Sequence, residues 1–426
     1  MKKRKTKTII SLVVTVIFLT GCEVYPVEFN ENVITKEDDT IVLTVLAGQS
    51  TSDAGIEDMI DEVVKEEFPK VQLDWECVDW GEKFDSQLQG RFASGDAPDI
   101  IIGKAQDVSA YAVGNNLAPI RIEGMDRIEE QALQAVTVED EVYGLPYNAW
   151  YQGVLYNKDV FASLELEVPT TIEELQQITE KLKVHEVTPF ASHFQESWNV
   201  GNITMQFLTN SVFHELENWG TLFRRGNVNF SNNKIIAECM KQNQYILENS
   251  WDDALIIDQY ESDRRFAEGK AAMYLTGSWS MQSINQYDID TNYGIFPYPN
   301  QEGDADLIKE TNLTFMISKT SPNQELSMDI IEKLFDNEKL MQEILDFTQT
   351  YSVVKDVDIR YQSSIAGDVK WYEESGKVID ASNGNNQLIW NFQNALAVET
   401  LKWLQGKESL EEVLAYADKY REESSN

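Results

Sequence analysis

Side chains that perform covalent or metal chemistry are scarce in this chain. Its 426 residues include three histidines (His185, His193, His214) and three cysteines (Cys22, Cys77, Cys239). That scarcity removes most His/Cys metal sites and most histidine-dependent catalysis. No G-x-S-x-G elbow, C-x-x-C pair or H-E-x-x-H helix occurs. Gly269-Lys270 lacks the upstream glycine of a phosphate-binding loop. Gly90 and Gly95 have the loop spacing, but Asp96 follows where a lysine is needed. Carboxylates, at 72, are abundant. A glycosidase needs only two of them, so a close pair would neither support nor exclude one. Aromatic groups are also plentiful, with 10 Trp, 17 Tyr and 18 Phe, and several tryptophans stand at loop positions outside the apolar stripes.

Charge narrows the partners. With 35 basic against 72 acidic residues the net charge is −37. Such a surface repels phosphate backbones, which argues against nucleic-acid binding. Hydrophobic residues at 42% and charged residues at 25% are ordinary for a globular protein. At about 100–200 residues per domain, the length predicts two or three domains or one two-lobed unit.

The beginning of the chain is read as processing signal. Lys2, Lys3, Arg4, Lys5 and Lys7 precede an apolar stretch from Ile9 to Leu19. That stretch falls short of the roughly 20 residues that span a bilayer, and it suits an export signal. Leu19-Thr20-Gly21-Cys22 resembles the lipobox of bacterial lipoproteins, which implies cleavage after residue 21, a lipid on Cys22 and anchorage outside the cytoplasm. Residues 22–40 are acidic and aperiodic, and read as a tether. An exported protein could bridge Cys77 and Cys239, but 162 residues separate them and they are read as two unpaired, buried thiols.

Strands and helices alternate along the body. Ile41–Leu46 is a β-branched run ended by Ala47-Gly48-Gln49-Ser50. Ile56, Met59, Ile60, Val63, Val64 and Phe68 recur at helical spacing before Pro69. Val71–Trp75 and Asp99–Ile102 read as strands, with a helix between them carrying Trp80, Phe84, Leu88 and Phe92. This order predicts a parallel α/β sheet. Gly153–Asn157, Ala271–Leu275 and Leu313–Ile317 read as further strands. Thr171 and Glu174, like Ser409 and Glu412, have the spacing of helix-capping boxes. The segment Trp198–Leu247 is expected to be mostly helical, and Met328–Phe347 to be one helix.

Several stretches resemble one family. Phe92-Ala-Ser-Gly-Asp-Ala-Pro-Asp-Ile-Ile101, Val142-Tyr-Gly-Leu-Pro-Tyr-Asn148, Leu155-Tyr-Asn-Lys-Asp-Val-Phe161, Pro169-Thr-Thr-Ile-Glu-Glu-Leu175, Phe266–Trp279 and Leu404–Leu414 are similar, in order, to motifs of the extracellular solute-binding proteins of ABC importers. That family includes the maltose-binding protein. The resemblance implies an α/β, two-lobed type II periplasmic-binding-protein fold with several hinge crossings. They are expected near Tyr147–Trp150, near Asn312, and within Asp358–Trp371. One lobe is expected from 41–147 with 312–360, the other from 148–311 with 361–426.

The resemblance also implies a ligand in the cleft, and for this branch a sugar. Sugars offer apolar C–H faces and many hydroxyls, so they call for flat aromatics together with amides or carboxylates. Trp279, closing Gly-Ser-Trp, stands where the family has a stacking platform; a core position behind strand 271–275 is the alternative. Trp150 aligns with a ligand-contact position where the maltose binder has a carboxylate, and Tyr151 is a weaker neighbour. In His193-Phe-Gln-Glu-Ser-Trp198, Glu196 would accept hydroxyl bonds and Trp198 would stack; a solvated loop carboxylate is the alternative for Glu196. Gln49, Gln106 and Asp107 follow strands at contact positions, although Asp107 stands where the maltose binder has a basic residue. Trp390 lies near a last aromatic platform. Trp80 fits its helix's core stripe better than the cleft.

The expected protein is a monomeric, lipid-anchored capture component with no catalytic residues, cofactor or metal. It would deliver a carbohydrate to permease subunits in the membrane. Rival readings are a polyamine or metal-chelate binder, a lipid-anchored glycoside hydrolase, and a sensor that presents sugar without transport.

Overall fold

The structure is a computed structural model that describes residues 40–424 except 54, 81, 217, 288–289 and 382–389. The export signal, Cys22 and the tether up to residue 39 lie outside the described residues. Within them, no helix is long and apolar enough to cross a membrane.

In chain order the strands of the two large sheets are β1 (Ile41–Gly48), β2 (Val71–Val78), β3 (Ile100–Lys104), β4 (Leu145–Pro146), β5 (Asn148–Asn157), β6 (Thr188–Ala191), β7 (Ala271–Gly277), β8 (Tyr293–Phe296), β9 (Leu307–Thr311), β10 (Leu313–Ile317), β11 (Tyr351–Ser352) and β12 (Val378–Asp380). The first sheet has the order β2-β1-β3-β10-β4. Its first three strands are parallel, and β10 returns antiparallel to β3. The second has the order β12-β9-β5-β7-β6, with β8 and β11 also pairing β5.

Parallel strands buried on both faces read as continuous apolar runs, as Ile100-Ile101-Ile102 shows. The connecting helices turn one stripe inward. Ile56, Ile60 and Val64 of helix Ile56–Glu67 are buried, and so are Ile172, Leu175, Ile178 and Leu182 of helix Ile172–Val184. Thr171 and Glu174 cap the latter reciprocally, and Ser409 with Glu412 does the same at the last helix. Each sheet has its own apolar interior. One gathers Leu43, Val45, Ile102, Phe315 and Ile330, the other Val154, Phe190, Met273, Phe296 and Leu396. The α/β, two-lobed expectation holds.

Tyr147 alone separates β4 from β5, and Asn312 alone separates β9 from β10. Both passages between the sheets meet at Asn148, which is 1% exposed. Its carbonyl accepts from Asn312 N at 2.9 Å, its side-chain oxygen accepts from Leu313 N at 3.0 Å, and its amide donates to Thr350 Oγ1 at 2.9 Å. A later passage runs from Arg360, bonded to Gln342, to Asp368, bonded to Lys158 and Ile295 N.

Lys309 also ties the layers. From β9 its ammonium reaches Glu129 Oε2 at 2.7 Å and Glu373 Oε1 at 3.3 Å. Tyr151 donates to the same Glu373.

Two expectations change in detail. Met328–Phe347 is two helices, Gln324–Phe335 and Glu338–Thr348, broken at Asp336-Asn337. Asn337 accepts from Leu340 N at 2.9 Å and so starts the second. The segment after Trp198 is helical but interrupted, with a π-turn at Thr209–Phe213. No disulfide joins Cys77 to Cys239; Cys239 is buried as expected, but Cys77, near the end of β2, is only half-buried, with its thiol against Glu57.

Candidate ligand-binding cleft

Strand parity decides which side chains share a face. Trp150 and Gln152 alternate on β5. Glu310 of β9 lies opposite Trp150, and Gly277 of β7 lies opposite Gln152. These residues therefore occupy one face, and Gln152 donates to Glu310 across it. Tyr151 points the other way, fully buried and opposite Lys309, so it belongs to the hinge tie and not to this face.

Ser278 prolongs the pairing of β7. Its N–H donates to Tyr151 O at 2.8 Å, and its hydroxyl accepts from Tyr151 N at 3.2 Å. The chain then turns into helix Ser280–Tyr287, and the Trp279 indole folds back over Gly277. A Cβ on Gly277 would meet that ring at 2.1 Å. Trp279 sits between two other indoles, with ring centroids 5.2 Å from Trp150 and 6.4 Å from Trp198, both edge-to-face. All three are half-buried, which is neither core nor open surface. The indole nitrogens of Trp150 and Trp279 are buried without a protein acceptor.

The first sheet contributes the carboxyl ends of its parallel strands, where open α/β sheets hold ligands. Half-buried Gln49 begins the short helix Gln49–Asp53 directly after β1. Trp80, after β2, lies over Gly48, where a Cβ would meet its ring at 1.9 Å. Its indole N–H donates to Ser50 Oγ at 2.8 Å, and Lys104 Nζ stands 5.3 Å from the ring centroid. Trp80 thus covers a strand end and touches Phe84 of the core, a position the core stripe alone does not convey. Gln106, exposed, and Asp107, half-buried, open helix Ala105–Val113 after β3.

The two sheets feel each other's charge here. Burial, then the like charges of Asp85 and Glu310, push Asp107 up to about 7, with Lys104 opposing. Burial also raises Glu310 against the pull of Lys104 and Gln152. Glu196, before helix Ser197–Leu208, behaves differently. Burial works to raise it, but bonds from His193, Trp198 and Gln259 N hold it below the usual carboxylate range. Its Oε2 accepts from His193 Nδ1 at 2.8 Å and from Gln259 N at 2.9 Å.

Trp150, Trp198 and Trp279 are thus brought into one group, and Glu196 is bonded to His193, whose ring packs against Trp198. Gln49, Gln106 and Asp107 stand at the opposite sheet's strand ends. Trp390 begins helix Trp390–Leu404, and its side chain lies outside the described residues, as does Cys22. Glu310, Lys104 and Gln152 were not singled out from sequence. The usable signal for Glu310 was its parity with Trp150, but that requires knowing the register. Among the described residues, no group of three or more His, Cys, Asp or Glu side chains is placed to hold a metal ion. A surface cavity beside Trp251 is lined by Arg264, Arg265 and Lys270. These cations are already paired with Glu261, Asp253 and Glu268.

Residues 47–340 match the sequence profile described as bacterial extracellular solute-binding protein. The chain belongs to that family. Its members are binding proteins. The multiple sugar-binding protein of Streptococcus mutans is 24% identical over 338 residues, 76% of this chain and 77% of that protein. The maltodextrin-binding protein MdxE of Bacillus subtilis is 26% identical over 215 residues, 48% of each chain. A chitin oligosaccharide binding protein shares the fold with a TM-score of 0.76 at 18% identity, covering 91% of this chain and 99% of that one. The solute-binding protein RafE in complex with raffinose gives 0.74 at 18% identity, covering 91% and 100%.

This family member should respond to pH in a defined window. Asp107 and the fully buried Asp263 are both pushed up to about 7, chiefly by burial. A carboxyl raised on folding binds more protons in the native state. It therefore removes stability as pH rises from its unfolded value of about 4 through its folded value. The melting temperature should fall between pH 5 and 7.5, and Asp107→Asn should flatten part of that slope. An unchanged slope in the variant would place the titration elsewhere.

Proposed function

We propose that this chain is the sugar-capturing component of an ABC importer, acting outside the cytoplasm and delivering an oligosaccharide or glycoside to a membrane permease. The observation that carries this reading is the half-buried run Trp150–Trp279–Trp198, with two indole N–H groups left without protein acceptors. Indole faces suit the C–H faces of sugar rings, and N–H groups without protein acceptors suit hydroxyl oxygens. The names of the relatives, several of them sugar binders, support the same class.

We take the ligand set to be Gln49, Gln106, Asp107, Trp150, Glu196, Trp198, Trp279 and Trp390, and extend it to Trp80, which lies over Gly48, and Glu310, which lies opposite Trp150. Lobes 41–147 with 312–360 and 148–311 with 361–426 close on the ligand. Closure is driven only by contacts made better in the closed form, so residues from both sheets are required. The protein works as a monomer, binds without catalysis, and is held to the membrane by a lipid on Cys22. That anchor predicts palmitate incorporation in cells of a lipoprotein-processing bacterium, lost in Cys22→Ala. Labelling that persists in the variant would remove Cys22 from the account.

The reading as a whole is tested by a thermal-shift panel of raffinose, stachyose, maltodextrins and chitin oligosaccharides. A ligand at 100 times its dissociation constant should stabilise the fold by about 2.7 kcal/mol. No shift with any sugar, alongside a shift with a polyamine, would overturn the class.

A further inference from the structure

Trp279 leaves its sheet abruptly, and the bonds at its two neighbours show how. In an antiparallel ladder a hydrogen-bonded pair of residues exchanges two bonds, each N–H going to the other's carbonyl. Tyr151 of β5 and Ser278, one position past β7, make the first half of that exchange, with Ser278 N donating to Tyr151 O at 2.8 Å. The return bond is different. Tyr151 N donates to the Ser278 hydroxyl at 3.2 Å, and the Ser278 carbonyl accepts instead from Met281 N at 3.1 Å. The side chain has taken the carbonyl's place in the ladder. The carbonyl is thereby turned to the start of helix Ser280–Tyr287.

Tyr151 and Ser278 are fully buried, so a backbone donor left over here has no solvent to turn to. The hydroxyl lets Tyr151 N and Met281 N both find acceptors while the chain departs from the sheet. The far side of Trp279 is held as well. Ser280, also fully buried, shares a hydrogen bond with Thr276 Oγ1 at 3.0 Å and accepts from Gln259 Nε2 at 3.4 Å. Trp150 precedes Tyr151, and Trp279 follows Ser278. The Tyr151–Ser278 contact therefore joins the two segments one residue away from each ring, and the ring centroids stand 5.2 Å apart.

We infer that Ser278 is a positioning residue, whose hydroxyl ends the ladder between β5 and β7 so that the chain turns at Trp279 and sets its indole over Gly277 and against Trp150. Its bearing on the ligand rests on the sugar-cleft reading above, but the geometry is measurable without any ligand. Hydrogen exchange reports the Met281 amide. Packed indoles couple optically, so an ellipticity couplet in the far-ultraviolet tryptophan band reports the rings, with Trp279→Phe in the full chain as the reference for its loss.

In Ser278→Ala, Tyr151 N has only the Ser278 carbonyl to reach for, and reaching it draws that carbonyl from Met281 N. The Met281 amide should exchange about tenfold faster, the change expected when a buried donor loses its acceptor. The couplet should fall by more than half of what Trp279→Phe removes. Ser278→Thr keeps the hydroxyl and should stay near the parent in both readings. Ser278→Cys keeps the size, but sulfur is a weak acceptor, so it should follow alanine. If Ser278→Ala does not fold, the contrast of cysteine with threonine carries the same test. Parental exchange and a parental couplet in the alanine and cysteine variants would overturn the inference.

Affinity for raffinose ties the hydroxyl to the ring. Ser278→Ala should weaken binding about three- to tenfold in the parent, and by less than about twofold in Trp279→Phe, where the ring to be positioned is already changed. Equal losses in both backgrounds would mean that Ser278 acts other than through Trp279, and would overturn the inference. If raffinose does not bind the unmodified chain, exchange and ellipticity decide alone, and the failure falls on the sugar reading.

Discussion

Alanine in place of Trp279 should weaken sugar binding by tenfold or more. Truncating a desolvated aromatic at the centre of a site costs about 1–3 kcal/mol, and 1.4 kcal/mol is a factor of ten. Trp279 is the central ring of the three, so its loss also removes the edges against which Trp150 and Trp198 pack. Gly277→Ala offers an independent route to the same result. Its backbone permits alanine, but the added methyl occupies the space of the Trp279 ring, 2.1 Å away. The ring must move while every aromatic group remains. Both variants should bind more weakly by calorimetry, with the unliganded melting temperature of Trp279→Ala changed little. Wild-type affinity in Trp279→Ala would take the residue out of the site, and with it the principal argument for a stacked sugar.

Lys309→Met should produce the largest loss of stability. The ammonium is 8% exposed and meets Glu129 and Glu373, so removing it leaves two carboxylates without their cation. Breaking a fully buried pair costs about 3–5 kcal/mol. Here the carboxylates keep 33% and 42% of their exposure, so on the order of 2–3 kcal/mol is expected. A urea midpoint shifted down without a change in slope would report it. Adding Glu129→Gln should recover part of the loss, since one orphaned charge is then removed. A single variant as stable as the parent would show that the tie contributes nothing.

Much of this architecture was open to inspection in the sequence, for reasons visible in particular residues. Ile100-Ile101-Ile102 reads as a strand because both faces of that sheet are covered. Ile56, Ile60 and Val64 read as a helix because only one face is. The Gly277-Ser278-Trp279 motif singled out Trp279, whose ring folds back over Gly277. What escaped depends on register. Trp150 and Tyr151 are adjacent and chemically alike, yet one faces the cleft and the other the hinge, and only the pairing with Glu310 and Lys309 distinguishes them. Glu310 is one acid among 72 until β9 is laid against β5. The break at Asp336-Asn337 was hidden because Leu334, Phe335, Leu340 and Met341 carry the apolar stripe across it. Trp80 fitted its helix stripe, and nothing local revealed that Gly48 leaves a vacancy for its ring.

Asn312 N and Leu313 N both bond to Asn148, so two of the three passages between the sheets run through one buried residue. Under the closure proposed above, displacement would grow with distance from that residue. Glu310, two positions from Asn312, would then move least, and the outer rims of the lobes would move most.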